Sequence, residues 1–161
     1  MIEINKELVD KVCEKANSSA RLRMNHNFHE NASDTMHRMI NALQTGTYIR
    51  PHKHENPDKN EAFILLRGTV LIVEFDPSGN IVYHTILSHA TGNYGVEIPP
   101  KTFHSLIPLE KDTVIYEVKD GPYDVKRDKI FASWSPEEGS PEGSAFNKSI
   151  LDKLNIKKVE D

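Results

Sequence analysis

Short β-like runs separated by turn residues fill the sequence from about residue 36, and this pattern constrains the fold more than any other feature. The turn residues include Gly68 and a Pro- and Gly-containing cluster at 76–80, which predicts a hairpin between the runs on either side of it. Many short runs of this kind are typical of an all-β sandwich or barrel, so we predict a mainly β fold. The runs expected to form strands are 62–66, 69–75, 81–87, 96–98, 104–107 and 113–118.

A helix is predicted towards each end of the chain. Near the start, Asn5 is a favourable N-cap residue. Apolar residues follow it at three- and four-residue steps, at Leu8, Val9, Val12 and Ala16. This amphipathic helix is expected to pack one face against the main body. A short helix is expected at 145–154, after a loop at 135–144 that is rich in Pro, Gly, Ser and Glu.

The chain length of 161 residues is ample for one domain with a single hydrophobic core. Within that domain we expect three regions. They are an N-terminal helix with a polar segment at 1–35, a β-barrel at 36–140, and a C-terminal helix and tail at 141–161. No internal repeat interrupts this order.

Composition excludes several classes of function. The net charge of -4, without a cluster of Lys and Arg, argues against nucleic-acid binding. The single cysteine, Cys13, cannot form an internal disulfide, and the first residues do not resemble a secretory signal. No apolar stretch approaches the roughly 18 residues of a membrane helix. We therefore expect a cytoplasmic protein that neither spans a membrane nor binds nucleic acid.

The histidines at 52 and 54 form the centre of a candidate metal site. On a strand, residues i and i+2 project to the same face, so His52 and His54 can direct both imidazoles to one point. Glu61 opens the next predicted strand and shares its face with apolar residues, which places a carboxylate at the mouth of a barrel. His104 opens a later strand after two prolines and can approach from the opposite side.

Three imidazoles and one carboxylate can hold a single divalent transition metal ion and leave coordination positions open for water or a ligand. The ligand set is compatible with Fe, Zn, Mn, Ni, Co or Cu, and the sequence does not select among them. The alternative is that the histidines are ordinary strand residues and Glu61 is a surface charge. No serine lies in a Gly-x-Ser-x-Gly setting, and there is no Gly-rich phosphate loop, so neither nucleophilic catalysis by serine nor nucleotide binding by such a loop is supported.

These residues resemble the two conserved motifs of cupins. The segment from Gly46 to Gly68 resembles the first motif, and Gly95 to Pro99 together with His104 resembles the second. The sequence departs from the motifs at three places. Six residues separate His54 from Glu61, instead of the usual three or four, which leaves Glu55 or Asp58 as alternative carboxylate ligands. The other two departures are Lys101 in the place of a common Gly and Pro108 in the place of the closing Asn.

A more extensive similarity, over about residues 5–140, is to the WbuC family of cupin-fold metalloproteins, which occur in bacterial loci for surface polysaccharide synthesis. It is carried by RLR at 21–23, NFH at 27–29, GTYIRPHKH at 46–54, EVKDGPY at 117–123 and FASWSPEEG at 131–139. The resemblance implies a cupin fold, which is a double-stranded β-helix or jelly-roll barrel, and a bound metal ion. It also implies a homodimer, but it does not supply a substrate or a reaction.

Residues that would bind a substrate are expected on either side of the barrel entrance. The polar stretch before the barrel contains candidate ligand-binding residues, at Arg21, Arg23, Asn27 and His29. An arginine can bind a phosphate or carboxylate through two parallel hydrogen bonds, although these arginines can equally pair with local carboxylates. Tyr48 and Arg50 directly precede the histidine pair and are further candidates. His29 is the candidate catalytic base.

Two functions from different classes remain open at this stage. The first is a metal-dependent enzyme, of isomerase or epimerase type or of oxygenase type, which acts on a small polar metabolite such as a sugar or nucleotide sugar. The second is a non-catalytic protein that binds a small molecule, with the metal as its anchor. In both cases the expected partner is a small-molecule ligand such as an anionic sugar derivative. A purely structural barrel without a metal is the third interpretation.

Overall fold

A computed structural model describes residues 1–158, which form two antiparallel β-sheets with a helix towards each end of the chain. The helices are α1 (Lys6–Asn17) and α2 (Glu142–Leu154). The strands are β1 (Arg23–Asn27), β2 (Met36–Leu43), β3 (His52–Lys53), β4 (Glu61–Arg67), β5 (Thr69–Phe75), β6 (Ile81–Ser88), β7 (Gly95–Ile98), β8 (Phe103–Pro108), β9 (Thr113–Asp120) and β10 (Ile130–Phe131). A single 3-10 turn, His89–Thr91, follows β6.

Each sheet has five strands, and most neighbouring strands are not consecutive in sequence. The orders are β1-β2-β9-β4-β7 in the first sheet and β10-β3-β8-β5-β6 in the second. Two antiparallel sheets joined by such crossovers form the jelly-roll arrangement that cupins adopt. The predicted fold class is therefore confirmed: a mainly β cupin barrel with an N-terminal helix and a short C-terminal helix.

The space between the sheets is filled by apolar side chains at one end. Phe63 and Leu65 from the first sheet meet Ile72 and Leu106 from the second, and all four are buried. On β4 the buried residues alternate with more exposed ones, starting from Glu61, as the predicted strand parity requires. The apolar core therefore lies directly below the carboxylate that the sequence placed at the barrel mouth.

The N-terminal helix packs as predicted. The Asn5 side chain accepts a hydrogen bond from the Leu8 backbone N–H at 3.1 Å and caps α1. The buried face of the helix contacts residues from β2 and β9. That face consists of Val9, Val12, Cys13 and Ala16.

The C-terminal helix begins at Glu142, three residues before the predicted start and inside the segment predicted to be a loop. Gly143 explains the difference, because a Cβ at this position would lie 2.4 Å from the Tyr48 ring. Glycine is a poor helix former in isolation, but here its missing side chain lets the first turn of α2 approach the barrel closely. Towards the other end of the helix, the side chains of Ile150 and Leu151 are buried in an apolar cluster.

Strand β1 was not predicted, and its residues belong to the polar segment before the barrel. It pairs with β2 from Arg23↔Leu43 to Asn27↔Met39 and forms the edge of the first sheet. All of its residues are exposed or half-buried, so the strand needs few apolar side chains and gives a weak sequence signal. Its position brings the polar N-terminal segment to the mouth of the barrel.

In residues 1–158, neither helix has both the length and the apolar composition that crossing a bilayer requires.

The turn between β4 and β5 provides a test of the packing. Gly68 has φ +78°, and a Cβ there would lie 2.5 Å from Thr113 Oγ1, whereas Gly92 has φ +74° and meets nothing closer than Tyr94 Oη at 3.9 Å. We expect Gly92→Ala to lower the free energy of unfolding by about 1 kcal/mol through backbone strain alone. Gly68→Ala should lower it by about 3 kcal/mol, because overpacking adds to the strain. Urea denaturation measures both, and equal losses would contradict the close approach to Thr113.

Candidate metal centre

Four residues from distant parts of the sequence converge at one point inside the barrel. They are His52, His54, Glu61 and His104, and their ligand atoms all lie within 4.8 Å of one another. All four are almost inaccessible to solvent, with exposed fractions between 1% and 3%. This is the set that the sequence predicted as metal ligands.

Both sheets contribute to the cluster. His52 on β3 and His104 on β8 are direct cross-strand partners in the second sheet. Glu61 is the first residue of β4 in the first sheet and faces them across the barrel. His54 lies just beyond β3, which has only two residues. The plane of its ring is turned by 85° from that of His52, and both rings still reach the cluster.

Backbone carbonyls fix the orientation of all three imidazoles. The Nδ1 atom of His52 lies 2.9 Å from the Arg50 carbonyl oxygen, and that of His104 lies 3.0 Å from the Thr102 carbonyl oxygen. The Nδ1 atom of His54 contacts the Asp128 carbonyl oxygen in the same way. A carbonyl can only accept, so each Nδ1 carries the proton and donates it.

The opposite ring nitrogens point into the cluster, and in a neutral imidazole each of them carries a lone pair. The Nε2 atoms of His104 and His54 lie 3.0 Å and 3.4 Å from Glu61 Oε2. These three atoms are buried and have no hydrogen-bond partner among the described residues. Buried acceptors that face one another without a partner are costly, and a shared cation removes that cost.

The charge states favour a metal ion over protons as that cation. Burial, with the nearby positive charge of Lys129 as a further cause, lowers the pKa of His52 well below its ordinary value. A carboxylate beside neutral imidazoles is the donor set that divalent transition metals prefer, so these residues fit a metal ion.

The alternative carboxylates are engaged elsewhere. Glu55 pairs with Lys53 at 2.5 Å, and Asp58 pairs with Lys101 at 3.0 Å in an exposed position. Neither belongs to the cluster, whereas Glu61 does. The longer spacing between His54 and Glu61 is therefore accommodated by the loop between them, without a change of ligand.

A cavity of about 690 Å³ extends from the cluster towards the solvent. His52 and Glu61 form part of its wall, so a bound ion would be reached from the cavity. The apolar residues Phe63, Leu106 and Ile115 line it as well. The cavity is large enough for a ligand of the size of a sugar.

The four residues predicted before the barrel all line this cavity: Arg21, Arg23, Asn27 and His29. The two arginines differ in their freedom. Arg23 donates hydrogen bonds to the Tyr48 carbonyl at 2.8 Å and Thr47 Oγ1 at 3.2 Å, and it also pairs with Glu138. Arg21 is more exposed and lies 3.6 Å from the same carboxylate. Arg23 is thus bound into the wall, whereas Arg21 lies at its rim with a single, longer contact to Glu138.

His29 stacks against His37 with ring centroids 4.0 Å apart. Its Nδ1 atom lies 3.3 Å from the Arg38 backbone N–H and 3.2 Å from the Arg38 carbonyl oxygen. The Nδ1 atom of His29 can therefore accept a hydrogen bond from the Arg38 N–H or donate one to the Arg38 carbonyl, according to the tautomer. Burial and the neighbouring His29 lower the pKa of His37.

Tyr48 and Arg50 lie outside the cavity wall. The Tyr48 hydroxyl donates to the Pro136 carbonyl at 2.9 Å, and the Arg50 guanidinium donates to the Ala132 carbonyl at 3.3 Å. The Arg50 guanidinium also lies over the Phe131 ring, 5.1 Å from its centroid. Their contacts attach the C-terminal segment to the barrel, and Phe131 in turn lines the cavity.

Two charged residues on β9 were not assigned a role from the sequence. Glu117 and Lys119 share the inward face of the strand with Ile115, and all three line the cavity. Burial and the negative charge of Glu61 raise the pKa of Glu117 to about 8. Asn41 on the adjacent strand donates a hydrogen bond to Glu117. The sequence feature that could have identified these two residues is their charge at alternate positions of an otherwise apolar strand.

Asp128 was also missed, because no local pattern marks this loop residue. Its carboxylate accepts hydrogen bonds from Lys59 at 2.7 Å and Lys119 at 2.8 Å, and all three residues are buried. Its carbonyl oxygen is the one that orients His54. The buried ion pairs therefore fix the backbone that positions one of the four ligands.

Solved structures with a similar fold include CapF, a capsular polysaccharide assembling protein from Staphylococcus aureus. It aligns with a TM-score of 0.56 and 21% identity over 66% of this chain, but over only 28% of CapF. The L-ribose isomerase of Cellulomonas parahominis aligns with a TM-score of 0.53 and 12% identity over 72% of this chain and 74% of the isomerase. At these identities the likeness establishes the fold alone, and the chain spans less than a third of CapF.

A comparison with curated protein sequences gave no match. The family model described as a domain of unknown function, DUF6016, matches residues 4–87, which is more than half of the chain. The matched region contains α1, the polar segment before the barrel and three of the four residues of the cluster. The chain therefore belongs to the DUF6016 family.

Proposed function

We propose that this chain is a cytoplasmic metal-dependent enzyme that acts on a small polar metabolite, such as a sugar or nucleotide sugar, in surface polysaccharide synthesis. The observation that carries the proposal is the convergence of three oriented imidazoles and one carboxylate at the base of a 690 Å³ cavity. The fold that the chain shares with a capsular polysaccharide assembling protein and a sugar isomerase supports this choice of substrate. The resemblance to the WbuC family points the same way.

The metal would be held by His52, His54, Glu61 and His104. A divalent ion bound there supplies a Lewis-acid centre for a carbonyl or hydroxyl oxygen of the ligand. The carbonyls of Arg50, Thr102 and Asp128 hold the imidazoles in the neutral tautomer that such binding requires. Loss of one carbonyl contact would let the corresponding ring rotate away.

The remaining residues of the cavity bind the ligand and handle protons. Arg21 lies at the rim, where it would exchange its contact with Glu138 for an anionic group of the ligand, and Arg23 fixes the wall beside it. Phe63, Leu106 and Ile115 exclude water from the base. His29 holds a proton on either ring nitrogen, because Arg38 offers both a donor and an acceptor to Nδ1, and it is therefore the proposed general acid or base. The homodimer expected from the family resemblance stays a prediction.

The metal content of the protein tests the ligand set. Protein purified without an affinity tag should contain about one transition metal ion per chain by elemental analysis. Because each donor contributes directly to binding, His104→Gln and Glu61→Gln should each lower the metal affinity by about 100-fold or more. His84→Gln is the matched control, since His84 lies exposed on β6. Equal metal content in all four proteins would contradict the assignment.

Metal removal should also lower the thermal stability. A ligand present at 100 times its dissociation constant stabilises the folded state by about 2.7 kcal/mol. For a chain of this length that corresponds to a decrease in Tm of about 5–10 °C when a chelator is added. His104→Gln should show almost no chelator effect. A wild-type Tm that is insensitive to chelation would argue against a site in the folded barrel.

Turnover tests the catalytic part of the proposal. Metal-loaded protein incubated with a panel of sugars and nucleotide sugars should convert one class of them, with products detected by ¹H and ³¹P NMR. Chelation should abolish the conversion, and metal should restore it. His29→Gln should lower kcat by about 100-fold or more while the metal content stays unchanged. Ligand binding without any product would reject the enzyme and indicate a non-catalytic binding protein.

A further inference from the structure

We propose that Lys129 anchors the carboxylate of an anionic ligand, so that the cavity takes hydroxy acids derived from sugars in preference to neutral sugars. The inference rests on the proposed metal site, whose ligand it specifies. Lys129 was not among the residues that the sequence singled out, and its role follows from its position and from the pairing of the other charges around it.

The position of Lys129 follows from the short strand β10. Phe131 on that strand pairs with His52 on β3, and the Phe131 ring lies 6.2 Å from the His52 ring. Lys129 precedes the strand by one residue and lines the cavity together with Phe131, whereas Ile130 between them is absent from the wall. The alternation of a β-strand thus directs Lys129 into the cavity on the same side as His52.

The other cationic residues of the cavity wall are already paired. Lys119 binds Asp128 at 2.8 Å, and Arg23 is held by Glu138 and the Tyr48 carbonyl. Arg21 lies at 3.6 Å from Glu138. Within residues 1–158, Lys129 is the only cationic residue of the cavity wall that forms no ion pair with a side chain.

The carboxylates deeper in the cavity have partners of their own. Asp128 is shared by Lys59 and Lys119, and Glu117 accepts a hydrogen bond from Asn41. Glu61 belongs to the metal cluster. None of these three carboxylates forms an ion pair with the ammonium of Lys129.

The Lys129 side chain lines the same cavity as His52 and Glu61 of the metal cluster. A divalent ion in the cluster would add further positive charge to the same end of the cavity, and like charges in a partly desolvated site repel. A carboxylate offsets both charges, whereas a neutral sugar offsets neither, which gives the ligand class its chemical basis.

Isothermal titration calorimetry with D-gluconate and D-sorbitol tests the proposal, because these six-carbon polyols differ only in the carboxylate. Metal-loaded wild type should bind gluconate at least about 10-fold more tightly than sorbitol. Lys129→Met should weaken gluconate binding by about 10- to 100-fold and leave sorbitol binding nearly unchanged. Lys129→Arg should retain most of the affinity. Lys126→Met is the control, since Lys126 is an exposed lysine of the same loop and does not line the cavity.

Equal affinity of the wild type for gluconate and sorbitol would overturn the inference, as would full gluconate affinity in Lys129→Met. The wild-type comparison does not depend on any variant folding correctly. Elemental analysis of the same samples separates this inference from the proposed function. If the protein contains metal but shows no preference for gluconate, the role of Lys129 is refuted and the metal site is not. If the preference depends on Lys129 but the protein holds no metal, the metal site is refuted and the role of Lys129 is not.

Discussion

Three backbone carbonyls, of Arg50, Thr102 and Asp128, determine what the centre of this barrel can do. By accepting the Nδ1 protons they fix the rotation of three imidazoles and leave every Nε2 lone pair facing Glu61. The resulting group of buried acceptors is unfavourable by itself, and it becomes favourable when a cation lies among them. The rings are therefore oriented before a cation binds, and their orientation favours a metal ion. The proposed chemistry of the cavity depends on this orientation.

The jelly-roll fold is well adapted to this arrangement because it brings two sheets together at a narrow interior. His52 and His104 come from adjacent strands of one sheet, and Glu61 enters from the other. The buried ion pairs of Asp128 with Lys59 and Lys119 then fix the loop whose carbonyl orients His54. Buried ion pairs contribute little net stability but do specify a geometry, and here that geometry is the position of a metal ligand.

The sequence predicted the central strands from short-range periodicity, and it predicted the four residues of the cluster from their spacing along the chain. Alternation along β4 places Glu61 above Phe63, and that relation can be inferred without tertiary information. Other features arise only from tertiary contacts. Strand β1 is a polar edge strand, the first turn of α2 depends on Gly143 packing against Tyr48, and Lys129 acquires its role from the pairing of charges around it. Glu117 and Lys119 form an intermediate case, since their inward parity was visible but their function was not.

The most direct test of the central claim is anomalous diffraction from crystals of protein purified without added metal. The account predicts one strong anomalous peak per chain, within bonding distance of the Nε2 atoms of His52, His54 and His104 and of a carboxylate oxygen of Glu61. It also predicts that the three Nδ1 atoms keep their contacts with the backbone carbonyls. A peak located elsewhere, or imidazoles that turn Nδ1 towards the ion, would contradict it.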